Sequence, residues 1–280
     1  MSPTIVDAHV HILPDRIRAD PAVAHADSWF TTCHASPRAV LAGPDELLAA
    51  MDEDGVDRAV CFTWPFADVQ LCVEANDWLA TRVRASPDRI IGFGVVNPAD
   101  PGAAAEALRC ARIGLRGIGE LNADAQGWAL DDIGAFASLA EACTSAALPI
   151  NLHASEPVGH DYPGKGTAHP HRIEALATAY PDLRVIAAHL GGGLPFYARM
   201  PEVRNLFRAN LYVDTAAAPW LYDAQAYADV VDLIGADRVL LGSDFPLLRA
   251  RRYLPELRGR LGEADAAMVC GGAAEELFVG

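Results

Sequence analysis

The 280-residue chain is poor in positive charge: 22 Lys and Arg stand against 37 Asp and Glu, a formal net charge of −15. That balance, with no basic run, argues against nucleic acid as the main partner, because phosphate backbones are held by clustered Lys and Arg. Long hydrophobic runs are also missing. The apolar stretches are strand-sized and broken by His, Gly or Asp, so no membrane span is expected. The amino terminus, Met1-Ser2-Pro3-Thr4-Ile5-Val6-Asp7, has no basic segment leading into an apolar one, and no signal peptide is expected. Six cysteines (Cys33, Cys61, Cys72, Cys110, Cys143 and Cys270) lie far apart without a C-x-x-C pair. A disulfide framework is therefore not expected, and a reducing cytoplasm is the expected location. No G-x-G-x-x-G follows the first apolar run, which disfavours a dinucleotide-binding open sheet.

What is present is a repeat of pattern. Half of the residues are apolar, enough for a large packed core. Eight short, β-branched runs predict strands over about 4–12, 56–63, 89–96, 115–121, 149–154, 184–190, 210–216 and 238–244. Several are almost continuously apolar, as strands buried on both faces of a parallel sheet are. Between them lie helical stretches. Pro44-Asp45-Glu46 opens one that Gly55 closes, and Asp131-Asp132 heads another with Ile133, Phe136, Leu139, Ala140 and Cys143 on one face. Further helices are expected over about 69–85, 101–113, 170–180 and 223–235. Eight strands alternating with helices predict an α/β fold, a single (β/α)8 TIM barrel over residues 1–280. Two stretches exceed a minimal barrel, 13–43 after strand 1 (with His25, Trp29, Phe30, Cys33 and His34) and the Gly/Pro-rich 155–169 after strand 5. Both emerge where barrel active sites lie and are candidate lids.

Asp7-Ala8-His9-Val10-His11 carries the strongest chemical signal. Residues two apart on a strand share a face, so His9 and His11 form half a site for Zn²⁺ or a similar cation. Glu120, His153, His189 and Asp244 each close a later apolar run. A polar residue there is costly unless paired or ligated. Their convergence predicts a divalent-metal site of one or two ions, Zn²⁺ first, with Mn²⁺ or Fe²⁺ as alternatives.

Together these pieces resemble the amidohydrolase superfamily, in its amidohydrolase-related branch of lactonases and aminocarboxymuconate-semialdehyde decarboxylase-like enzymes. The resemblance rests on Val6-Asp7-Ala8-His9-Val10-His11, Asn151-Leu152-His153, Ala188-His189-Leu190-Gly191-Gly192 and Leu241-Gly242-Ser243-Asp244-Phe245-Pro246, in the expected order. It implies that His9, His11, His153 and Asp244 are metal ligands. It implies that His189 contacts substrate or activated water, and that Glu120 is either a further ligand or an acceptor behind the ligands. The expected activity is hydrolysis of a C–O or C–N bond in a small substrate, carboxylated or a lactone. Metal-activated water would attack, Asp244 would move the proton and His189 would polarise the carbonyl. The alternative is non-oxidative decarboxylation of a small carboxylic acid at the same metal.

Trp64, after strand 2, and His160, Tyr162 and Lys165, in the strand-5 loop, are candidate substrate contacts. His25 and His34 are expected to have no catalytic role, and His169 and His171 to be capping or surface groups. The expected partner is a small molecule, with no nucleic acid or membrane. Apolar residues of the 13–43 insertion leave a homodimer open.

Overall fold

A computed structural model describes residues 3–24 and 27–279; His25, named above, lies outside the described residues. Eight strands are present: β1 (Val6–His11), β2 (Arg58–Phe62), β3 (Ile90–Gly94), β4 (Gly117–Leu121), β5 (Ile150–Leu152), β6 (Val185–Ala187), β7 (Leu211–Asp214) and β8 (Val239–Leu240). They pair in sequence order, each parallel to the next. The ring is closed by the chain beyond β8. Ala8 N donates to Leu241 O at 2.6 Å, Asp244 N to His9 O at 2.9 Å and His11 N to Phe245 O at 2.7 Å. This is the expected (β/α)8 barrel.

Eight helices follow the strands: α1 (Pro44–Asp54), α2 (Val69–Ala85), α3 (Ala103–Arg112), α4 (Ile133–Ser145), α5 (Pro170–Ala179), α6 (Pro201–Ala209), α7 (Gln225–Ile234) and α8 (Ala250–Arg260). Local chemistry sets their ends. Pro44 starts α1 with its φ already helical, and Gly55 stops it in a left-handed conformation at φ 71°. The Asp68 carboxylate accepts from Gln70 N and Leu71 N at the start of α2, and Asp132 accepts from Ala135 N at the start of α4. Helices α6 and α8 went unread in the sequence. Both are short of apolar residues, and Pro255 interrupts the pattern of α8. Among the described residues, no helix is long and apolar enough to cross a membrane.

The barrel interior packs Val6, Ala8, Val60, Phe62, Ile91, Phe93, Ile186 and Leu240. Ala273, Ala274 and Leu277 of the last helical segment join them, closing the amino-terminal end. In β1 the register slips between Asp7 and Val10. Simple alternation would put Ala8 and His9 on opposite faces. The irregularity instead lets Ala8 fill the interior while His9 and His11 also project into it above. The opposite, carboxyl end of the barrel is thereby left to polar groups.

Candidate active site

All six sequence candidates meet at the carboxyl end of the barrel. His9 and His11 end β1, Glu120 lies in β4 and His153 follows β5 directly. Strand 6 stops at Ala187 and strand 8 at Leu240, short of the expected 190 and 244, because the backbone turns left-handed. His189 has φ 58° and ψ 49°, and Asp244 has φ 63°. Such a conformation costs about 1–3 kcal/mol in a residue with a Cβ and persists where the surroundings impose it. Here His189 N donates to Asp214 Oδ1 at 3.0 Å and Asp244 N to His9 O at 2.9 Å. Both side chains are turned into the barrel mouth. Gly242 lets β1 pass, since a Cβ there would sit 2.7 Å from that of His9.

The proton on each imidazole follows from its far neighbour. His11 Nδ1 lies 2.8 Å from Thr63 O, an acceptor only, so Nδ1 carries the hydrogen. His9 Nδ1 donates to Asp214 Oδ2 at 2.9 Å. His153 Nε2 donates to Gly164 O at 3.1 Å. The remaining ring nitrogens, His9 Nε2, His11 Nε2 and His153 Nδ1, all face the same space. His9 Nε2 and His11 Nε2 are 3.1 Å apart. Asp244 Oδ1 is 3.8 and 3.6 Å from them, Glu120 Oε2 is 3.6 Å from His11, and Glu120 Oε1 is 3.0 Å from His153 Nδ1. Three ring nitrogens and two carboxylates converge there, and a divalent cation would be met by all of them in place of the protons they share. The donor set fits a divalent metal. The groups His9–Glu120–His189 and His9–His11–Asp244 each keep all three ligand atoms within 4.8 Å of one another, and His153 adjoins them through Glu120 and His189.

His189 is held differently. Its Nδ1 donates to Ala216 O at 3.1 Å, while Nε2 faces Glu120 Oε1 at 3.2 Å. Hydrogen acceptors on both sides favour the imidazolium. Burial opposes a charge on His189, but the hydrogen bond and charge of Glu120 outweigh it and push its pKa up to about 10. For His9 burial is likewise outweighed, by Asp214, and the pKa rises to about 9. Burial and the neighbouring His9 charge pull His11 down. Glu120 stays well below the carboxylate range despite burial, because His153 and His189 face it.

Asp214, at the end of β7, was missed in the sequence. It is fully buried and organises the centre. Oδ2 accepts from His9 Nδ1 and, at 3.0 Å, from Asn151 Nδ2; Oδ1 accepts from the backbone N of His189 and of Ala216, the latter at 3.1 Å. A carboxylate behind a histidine fixes its tautomer and ring orientation. The signal was available, since Leu211-Tyr212-Val213-Asp214 is another apolar run ending in a carboxylate.

The two expected lids meet over the site. Helix Ser28–Cys33 of the insertion lies against the strand-5 loop: a Cβ on Gly164 would be 3.4 Å from Cys33 Sγ, and one on Gly166 3.5 Å from the Trp29 ring. The Trp64 ring sits 6.1 Å from that of His11 and 4.8 Å from that of His34. Tyr162 and Tyr222 donate to the two oxygens of Glu156 at 3.0 and 2.9 Å, joining the strand-5 and strand-7 loops. Lys165, the chain's one lysine, places Nζ on the Val158 and His160 carbonyls of its own loop, at 3.1 and 3.0 Å. His160 is exposed beside Tyr162. His169 precedes α5 without a side-chain capping bond. In the insertion Val23 and Val40 are the exposed large apolar residues, whereas Tyr197, Met200 and Trp220 expose theirs elsewhere.

The chain is 26% identical over 289 residues to gamma-resorcylate decarboxylase of Polaromonas sp. (strain JS666 / ATCC BAA-500), covering 84% of this chain and 86% of that protein. Its fold matches that of 5-carboxyvanillate decarboxylase LigW from Sphingomonas paucimobilis, with a TM-score of 0.81 at 22% identity over 99% of both chains. It also matches a dihydroxybenzoic acid decarboxylase from Polaromonas sp. JS666 carrying manganese and 2-nitroresorcinol, with a TM-score of 0.75 at 21% identity over 99% of this chain and 97% of that one. These relatives correct the expectation of hydrolysis, since each is a decarboxylase. The physical reason for the misreading is that one cation among imidazoles and carboxylates serves either reaction, so the ligand set does not select between them. The Amidohydrolase family model matches residues 6–279, from the first strand to the closing helix, and the chain belongs to that family.

Proposed function

We propose that the chain is a divalent-cation-dependent, non-oxidative decarboxylase of a small aromatic carboxylic acid. His9, His11, His153 and Asp244 would hold the cation, with Glu120 beside them. His9 has Nδ1 committed to Asp214 and offers Nε2 to the cation. Manganese, present in a relative, is favoured over zinc. When bound, the ion would supply positive charge that holds and orients the substrate carboxylate.

The chain's own residues handle the proton. His189 holds one on Nε2, against Glu120 Oε1, at the edge of the cavity. Asp244 presents the most exposed of the central carboxylates, at 14% for its side chain, and passes a proton between His189 and the substrate. Protonation of the carboxyl-bearing carbon precedes C–C cleavage. The electron pair of that bond returns to the ring, CO2 leaves and no oxidant is needed. The two lids exclude water from the developing charge. Among the described residues no Arg or Lys is paired into the cluster, so the substrate's anion falls to the cation and the histidines.

The observation that carries the reading is the cluster of imidazole nitrogens and carboxylates beside His189, whose two ring nitrogens face Ala216 O and Glu120 Oε1; the decarboxylase relatives favour it over hydrolysis. The test is CO2 release by Mn²⁺-loaded protein from 2,6-dihydroxybenzoate and 5-carboxyvanillate, next to a panel of lactones. CO2 from at least one acid is expected, with rates falling about 100-fold or more on chelation and recovering with Mn²⁺. Lactone hydrolysis without CO2 from any acid would refute the reading.

A further inference from the structure

The first lid and the loop after β2 carry two polar atoms that the decarboxylation chemistry does not use. His34 caps the helix Ser28–Cys33, and its Nδ1 lies 2.8 Å from Phe30 O. A carbonyl only accepts, so Nδ1 bears the hydrogen and Nε2 presents a lone pair; among the described residues no protein group meets it. The ring is held between Phe30, at 4.3 Å, and Trp64, at 4.8 Å. Trp64 Nε1 is buried and has no hydrogen-bond partner. An indole N–H only donates, and an unmet buried donor costs about 1–3 kcal/mol. The lid also reaches the centre through Trp64, whose ring lies 4.8 Å from that of His34 and 6.1 Å from that of His11. The lid is fixed there by Asp27, whose carboxylate accepts from Phe30 N at 2.9 Å and from Ala67 N at 3.3 Å.

One unmet acceptor and one unmet donor therefore belong to two rings in mutual contact, and the second of these rings neighbours that of His11. A hydroxyl satisfies both, donating to one and accepting from the other. A methoxy or carbonyl oxygen can serve Trp64 alone, and a bare C–H serves neither. We propose that His34 and Trp64 are specificity-determining residues that read a ring hydroxyl remote from the reacting carboxylate, His34 Nε2 accepting its proton and Trp64 Nε1 donating to its oxygen. This assignment rests on the aromatic acid proposed above as substrate.

Equilibrium binding to Mn²⁺-loaded protein tests it without turnover. The probes are 2-hydroxybenzoate, 2,4-dihydroxybenzoate and 2-hydroxy-4-methoxybenzoate, with the wild type, His34→Phe, His34→Gln and Trp64→Phe. Wild type is expected to bind the 4-hydroxy acid about tenfold more tightly than the other two. His34→Phe and Trp64→Phe should each remove most of that preference while changing the affinity for 2-hydroxybenzoate less than about threefold. His34→Gln, whose amide oxygen can accept, should keep part of it. Thermal melts and metal content check that each variant is folded and loaded. Undiminished preference in both Phe variants, or no preference in the wild type, overturns the assignment. Discrimination that depends on His34 in a protein releasing no CO2 would leave it standing and sink the decarboxylase reading instead.

Discussion

Replacing His189 by asparagine is expected to lower kcat by roughly 10²–10⁴-fold while leaving the cation bound. Asparagine can still donate to Ala216 O, which His189 meets at 3.1 Å, so the turn after β6 keeps its anchor. It cannot hold a transferable proton against Glu120. The proposed cation ligands His9, His11, His153 and Asp244 are untouched. Asp244→Asn is the contrast, because it removes a proposed ligand and a proton carrier together, and both metal content and turnover should fall. Elemental analysis beside steady-state kinetics separates the two. Turnover of His189→Asn within threefold of wild type would remove His189 from the proton path. Loss of the metal in that variant would make it a ligand.

Asp214→Asn should be the most damaging change at a residue that does not itself face the cavity. Four donors converge on the two carboxylate oxygens: His9 Nδ1, Asn151 Nδ2 and the backbone N–H groups of His189 and Ala216. An asparagine NH2 on either side meets two donors and has no acceptor to give to. His9 would then lose its tautomer or its partner, and a buried pair would be broken at a cost of about 3 kcal/mol. Metal affinity is expected to fall about 10–100-fold, as when a group behind a metal-bound histidine is removed. Competition with a chelator of known affinity measures the first effect, and denaturant unfolding of the metal-free protein the second. Unchanged values in both would mean that Asp214 is a bystander.

The sequence made the barrel and the six central residues legible for one reason. A polar group closing an apolar run is expensive, and His9, His11, Glu120, His153, His189 and Asp244 all break that rule at the same barrel end. Asp214 obeys the same logic and was passed over because Leu211-Tyr212-Val213-Asp214 was read only as a strand. The lid was harder. Nothing near His34 in the chain marks it, and only the return of the insertion over the barrel places its ring against Trp64, thirty residues on. Lys165 shows the opposite case, since its cationic type suggested an anion partner while the fold turns its ammonium onto neighbouring carbonyls. The direction of the chemistry was not legible at all, because water attack and ring protonation ask for the same cation and imidazoles.

The most direct test of the account is the product formed in D2O from 2,6-dihydroxybenzoate by Mn²⁺-loaded protein, followed by proton NMR. The expected product is 1,3-dihydroxybenzene carrying one deuterium at the vacated carbon, formed with one CO2 per acid consumed and at least about 100-fold more slowly by the His189→Asn variant. Product formed without deuterium at that carbon, or at an undiminished rate in the variant, would contradict it.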